Sequence, residues 1–302
     1  MTKIRETGNS SMIDDRRGSG GGGGGGGLGN ILGGGGGIPL PGKLGGGAVG
    51  ILLALAIFIL PRILGGAGVT TPSNSASQTG SQAADVADGS CNSTLESIIC
   101  GATEDVENFW NREFQSEGKT YEFTKTVFFT DSTDTGCGAA SASTGPFYCP
   151  VDHLVYIDLG FLQQLEQQFG IKGDLAEQYI VAHEYGHHIQ NLLGINAQVQ
   201  QASRNDPSSA NKESVALELQ ADCYAGVWAN DANKRGLLDN ASEVSEALDA
   251  AAAVGDDRIQ QQTQGRIDPE TFTHGTSEQR KSWFQRGYST GDHNQCNTFA
   301  EI

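Results

Sequence analysis

Apolar and polar positions along the chain fall into distinct regimes. From Leu44 to Leu60 the chain carries no charge. From Ala48 it is densely apolar (AVGILLALAIFIL), with Lys43 and Arg62 as flanks. Its seventeen residues lie near the lower limit for a helix that crosses a bilayer. Residues 65–90 are small, polar and aperiodic, which predicts a flexible tether. Periodic patterning begins at Cys91. Leu95 to Phe114 repeats apolar residues at helical spacing through Ile98, Ile99, Val106, Phe109 and Trp110. Tyr121–Thr130 (YEFTKTVFFT) and Leu154–Leu159 (LVYIDL) are aromatic and β-branched and predict strands, with a Gly/Ser/Thr-rich loop between them. Beyond residue 160 the periodicity is mostly helical. The expected class is therefore α+β, mostly helical after a few early strands.

Composition changes the picture at the N-terminus. Of 43 glycines, 20 lie between Gly18 and Gly50, where no side chains exist to build a core, so residues 1–43 are expected to be a disordered Gly-rich arm. Residues 44–64 are then expected to be a transmembrane anchor, 65–90 a linker and 91–302 the folded domain. A secretory signal with a cleavage site at Gly65-Gly66-Ala67 competes with the anchor, but more than forty residues precede the apolar run. A buried core helix is the third reading, and one that is apolar on all faces between glycines has nothing evident to pack against.

The chain carries 19 Lys+Arg against 36 Asp+Glu, a net charge of −17, which argues against nucleic-acid binding. Lys3, Arg5, Arg16, Arg17 and Lys43 precede the apolar run, whereas after Arg62 the next basic residue is Arg112. That asymmetry predicts a single-pass membrane protein with a cytoplasmic N-terminus and an extracytoplasmic domain. All six cysteines follow the apolar run, as expected for disulfides in an oxidising compartment; six buried thiols are the alternative.

One segment carries the chemistry, Asp174 to Gly194 (DLAEQYIVAHEYGHHIQNLLG). Asp174 and Glu177 match a capping box, and Gly194 matches a left-handed stop, so a helix is expected between them. His183 and His187 are then one turn apart and offset by only about 40°, so their imidazoles can share one Zn²⁺. Glu184 stands beside them, placed to deprotonate a metal-bound water. The bland alternative is two ordinary polar residues on a helix face.

A third ligand is needed. A metzincin would have Gly at 190 and His at 193, and the chain has Gln190 and Leu193. Downstream, Glu213 to Trp228 (ESVALELQADCYAGVW) carries Glu218 and Asp222 on one helix face among apolar neighbours, where unpaired carboxylates are costly. Glu218 as zinc ligand and Asp222 as acceptor for a ligating imidazole N–H would satisfy both. A solvated helix charge is the alternative for Glu218.

HEYGHHIQ followed by ELQADCYAGVWA resembles the bacterial putative neutral zinc metallopeptidase family, within the wider gluzincin pattern of HExxH plus ExxxD. Also similar are Asp14-Asp15-Arg16-Arg17-Gly18, GPFYCPVDHLVYIDLGF at 145–161, HGTSEQRKSWFQRGY at 274–288 and QCNTF at 295–299. The resemblance spans nearly the whole chain and implies a zincin-like domain with the activity of a zinc metalloendopeptidase, a hydrolase. It supplies no substrate. Cys91 and Cys100 depart from the family pattern.

His274 precedes Thr276, which predicts a helix start with Gln279, and a histidine there could enter the cleft and stabilise an oxyanion. A structural loop histidine is the equal alternative. Tyr185 and Tyr288 are weaker candidates for that role. His188 points away from the metal face, and His153 and His293 read as solvated loop residues. Spacing alone does not select a disulfide pairing. Cys137–Cys149 is the natural loop closure, Cys223–Cys296 would tie the C-terminus to the metal-bearing helix, and Cys91–Cys100 remain.

The expected function is a membrane-anchored zinc peptidase acting on proteins or peptides, with Glu184 as general base. The rival readings are a zinc amidase acting on cell-wall peptides and a zinc-stabilised envelope adaptor without turnover.

Overall fold

A computed structural model describes residues 2–17, 88–170, 173–239 and 241–302. The expected anchor and most of the expected tether lie outside the described residues. Among the described residues, no helix is long and apolar enough to cross a membrane.

Five strands form one mixed sheet in the order β2-β1-β3-β7-β6, and β4 and β5 form a separate hairpin. The strands are β1 (Asn9–Asp15), β2 (Asp88–Ser90), β3 (Thr126–Phe129), β4 (Ser132–Thr135), β5 (Gly138–Ser141), β6 (Phe147–Cys149) and β7 (Leu154–Asp158). β1 runs antiparallel to β2 and parallel to β3, β3 runs parallel to β7, and β7 antiparallel to β6. The helices are α1 (Thr94–Ser116), α2 (Leu159–Phe169), α3 (Asp174–Leu192), α4 (Ile195–Asn205), α5 (Ala210–Lys234), α6 (Ala241–Ala253), α7 (Asp256–Gln264) and α8 (Ser277–Thr290).

The two periods of the sequence explain the layering. In β3, Phe128 faces the main helical core with Val155 and Ile157 of β7. Its neighbours Val127 and Phe129 face the other way, with Phe147, Cys149, Tyr156 and Ala140 of the hairpin. Alternation therefore buries both faces of the strand. α1 begins at a capping box, with Ser93 accepting from the Glu96 N–H and Glu96 returning the bond to the Ser93 N–H. Its apolar stripe, Ile99, Ala102, Val106, Phe109 and Trp110, enters the same core as α3 and α5.

Several expectations shift. The expected arm over 1–43 does not start at the N-terminus, because residues 2–17 join the folded body and β1 takes an interior place in the sheet. The strand expected over Tyr121–Thr130 shrinks to β3. Tyr121 instead packs edge-on against Phe114 and His188, and the Thr124 N–H donates to Glu107 rather than to a strand. The capping box expected at Asp174 does not form. Gly173 takes the cap position, and Asp174, inside the first turn, binds Arg5 at 2.7 Å. Gly194 does adopt the left-handed conformation that ends α3. Thr276 and Gln279 form the expected capping box of α8. The cysteines pair as Cys91–Cys100, Cys137–Cys149 and Cys223–Cys296.

Glu107 of α1 is wholly buried, one oxygen accepting from the Thr124 N–H at 2.9 Å and the other without a hydrogen bond among the described residues. Burial pushes its pKa up to about 8 against that hydrogen bond. The folded state therefore holds a proton that the unfolded state releases near pH 4–5, and stability falls as pH rises from about 4.5 through about 8. The expected outcome is that Glu107→Gln flattens the fall in melting temperature across that range. Thermal melts at stepped pH check it; an unchanged slope would assign the dependence elsewhere.

Candidate metal centre

The centre lies between α3 and α5. α3 buries Leu175, Ala176, Tyr179, Val181, Ala182, Tyr185 and Ile189. Gly186, between the two histidines of HEYGH, faces α5 at close range. A Cβ there would stand 2.9 Å from the Ala221 Cα, tighter than side chains tolerate. The missing side chain lets the two backbones approach until Glu218 reaches both imidazoles. Its carboxylate oxygens lie 3.2 Å from His183 Nε2 and 3.5 Å from His187 Nε2. One donor atom from each of His183, His187 and Glu218 falls within 4.8 Å of the others.

Each ring is fixed from behind. His183 Nδ1 lies 2.8 Å from Asp222 Oδ1, and His187 Nδ1 lies 2.8 Å from Gln190 Oε1. The Gln190 amide is itself oriented, since its NH₂ donates to the Leu217 carbonyl at 2.7 Å and to Gln220 Oε1 at 3.1 Å. That leaves Oε1 to accept an imidazole N–H, so both rings turn Nε2 toward Glu218. Asp222 is buried and also accepts from Tyr179 Oη at 2.5 Å and from Arg280, Nε at 2.8 Å and Nη2 at 2.9 Å. This two-pronged pairing lets the buried guanidinium compensate the buried carboxylate.

Electrostatics follow the same arrangement. Burial raises the Glu218 carboxyl, yet the nearby His187 and His274 and the hydrogen bonds from both ring nitrogens hold it well below its ordinary value. Burial likewise raises Asp222, and Arg280 and His183 outweigh it, so its pKa is lowered. Burial pulls His183 down, but Asp222 and Glu218 push it up to about 9. Glu184 differs from both acids. Its side chain is buried and makes no hydrogen bond among the described residues, and burial raises its pKa despite the neighbouring histidines.

With neutral imidazoles and Glu184 ionised, three carboxylates here face one guanidinium, a deficit that a divalent cation balances. Two Nε2 atoms and a carboxylate match the donor set zinc takes in open, catalytic coordination, so the residues fit that metal.

Every residue expected at the metal comes together, namely His183, His187, Glu218, Asp222 and Glu184. His274 is buried near them, close enough to act on the Glu218 carboxyl. Its Nδ1 lies 3.1 Å from Asp256 Oδ1, whose other oxygen accepts from the backbone N–H groups of Thr273, His274 and Gly275. Tyr185 is not at the site; its hydroxyl lies 3.3 Å from Thr126 in the core behind α3. His188 packs on that far side as well, between the Tyr148 hydroxyl and the Glu122 carbonyl. His293 is not a free loop residue, because it sits against Trp110 with Glu117 2.9 Å away. Gln190, Tyr179, Asp256 and Arg280 were not legible as site residues. Only Gln190 had a usable signal, one turn after His187 on the same helix.

The family model described as "Putative neutral zinc metallopeptidase" matches residues 2–299. The chain belongs to this family. It is 50% identical over 206 residues to the "Uncharacterized protein YpfJ" of Escherichia coli K12, covering 68% of the chain and 70% of that protein. It is 53% identical over 182 residues to the "Uncharacterized protein Rv2575" of Mycobacterium tuberculosis H37Rv, covering 57% and 61%. No solved structure matches the chain.

Gln190→Ala removes the acceptor behind His187 without touching a donor atom. Zinc affinity is expected to fall about 10–100-fold, the usual loss when a ligand's supporting hydrogen bond is removed. Competition with a chromogenic chelator measures it, and unchanged affinity would mean the His187 ring is held by something else.

Proposed function

We propose that the protein is a zinc-dependent metallopeptidase in which His183, His187 and Glu218 hold Zn²⁺ and Glu184 is the general base. The observation that carries this reading is the pairing of a convergent three-donor set with an adjacent carboxylate, Glu184, that makes no hydrogen bond among the described residues. A bound zinc ion would polarise the scissile carbonyl and acidify a water.

The chain's own residues supply the rest. Glu184, destabilised as an anion by burial, takes the proton of the attacking water and delivers it to the departing amine. His274, whose Nδ1–H donates to Asp256, would as an imidazolium donate from Nε2 to the developing oxyanion. Asp222 and Gln190 keep the two ligand rings from turning, and Arg280 keeps Asp222 in place. His187 is the more exposed of the two histidines.

A purely structural zinc site has no use for an unengaged buried acid beside its ligands, so Glu184 speaks against the adaptor reading. An amidase would use the same residues on a different amide, and the substrate separates the two. The test is Glu184→Gln, assayed with a quenched-fluorescent peptide library and with cell-wall peptides. Zinc content is expected to stay at one per chain while turnover of the library falls about 10²–10⁴-fold, the usual worth of a general base. Undiminished turnover would remove Glu184 from the mechanism. Cleavage of cell-wall peptides alone would favour the amidase.

A further inference from the structure

The N-terminal residues are built into the body that carries the metal centre. Ile13 is wholly buried, and β1 pairs along both edges, Ile13 opposite Thr126 of β3 and Asn9 opposite Ser90 of β2. Upstream of β1, the Lys3 N–H donates to the Leu237 carbonyl at 2.9 Å and the Glu6 N–H to the Ser97 carbonyl at 3.1 Å. Gln178 of α3 donates to the Ile4 carbonyl at 2.7 Å, and Arg5 pairs with Asp174 at the start of the same helix. After β1, the Arg16 N–H donates to the Phe128 carbonyl, and Arg17 pairs with Glu96 in the capping box of α1.

The rest of the chain is shaped to receive this segment. A Cβ at Gly101 of α1 would stand 2.6 Å from the Arg5 Cα, so only glycine admits the Arg5 backbone there. A Cβ at Gly89 would collide with the Ile13 side chain. The contacts run from α1 to the link after α5, and two of them grip the helix that carries His183 and His187.

This arrangement constrains topology. β1 and β2 are paired neighbours, Asp14 opposite Asp88, so the intervening residues leave and return at adjacent points of one sheet. A strand cannot hydrogen-bond to its neighbours through a bilayer, and each crossing changes side. The run from Leu44 to Leu60 has seventeen residues, whereas two helical crossings need about 40. A β1 strand donated by a second copy would obey the same rule.

We propose that residues 2–17 and 88–302 occupy one compartment, on the same side of any membrane. The positive residues Lys3, Arg5, Arg16 and Arg17 then do not mark a cytoplasmic N-terminus. At least Arg5, Arg16 and Arg17 have a different use, as partners of Asp174, Asp14, Asp15 and Glu96. The three disulfides place the shared compartment on the oxidising side. This inference does not depend on zinc or on peptidase activity.

The chain's six cysteines are all paired, so an introduced cysteine is a unique free thiol. Ser11→Cys on β1 and Gln285→Cys on α8 are both at exposed positions. Each is made in the full chain, and the purified folded protein is first shown to react with a membrane-impermeant maleimide. Intact cells are then labelled, and the signal is compared with total labelling after lysis. Both cysteines are expected to react before lysis. Protection of both until lysis would sustain a single compartment but overturn its placement on the oxidising side. Reaction of one before lysis and of the other only after it would overturn the proposal.

Discussion

Two helix backbones in contact, at Gly186 of α3 and Ala221 of α5, set the geometry of the centre. Donor atoms must converge within a few ångströms to bind one cation, and side-chain length is fixed. The separation of α3 and α5 therefore decides whether Glu218 can share a metal with His183 and His187. The packing behind the contact holds that distance. Tyr179, Tyr185 and Ile189 anchor α3 in the core, and the Cys223–Cys296 disulfide anchors α5 one residue beyond Asp222.

Buried charge makes the same region demanding. Asp222 and Arg280 are both inside, and removing either would strand the other at a cost of about 3–5 kcal/mol. The pair is retained because it does two things at once: Arg280 compensates Asp222, and Asp222 sets which nitrogen of His183 faces Glu218. Glu184 is the exception in this region, a buried acid with no hydrogen bond among the described residues.

Much of the centre was readable from residue spacing, because helical geometry alone places His183 beside His187 and Glu218 beside Asp222. α1, β7, the Gly194 stop and the Thr276 cap were legible for the same reason, each being local. What escaped was non-local or weakly patterned. Arg280 and Asp256 reach their partners only through tertiary contact, across 58 and 18 residues respectively. β4 (STDT) and β5 (GAAS) have no apolar alternation to announce them. β1 (NSSMIDD) offers one strongly apolar residue, Ile13, and its neighbouring charges looked like a topology signal. In the fold those charges are taken up by ion pairs, Arg5 with Asp174, Arg16 with Asp14, and Arg17 with Asp15 and Glu96.

The central claim is that His183, His187 and Glu218 bind one zinc ion. It is tested most directly by metal stoichiometry on the purified, oxidised full chain, wild type against Glu218→Ala, with thermal melts confirming that both are folded. The wild type is expected to hold one zinc per chain, and the variant to lose it or to bind it too weakly to survive dialysis. A folded wild type that takes up no zinc, or a Glu218→Ala protein that retains it undiminished, would overturn the three-ligand assignment.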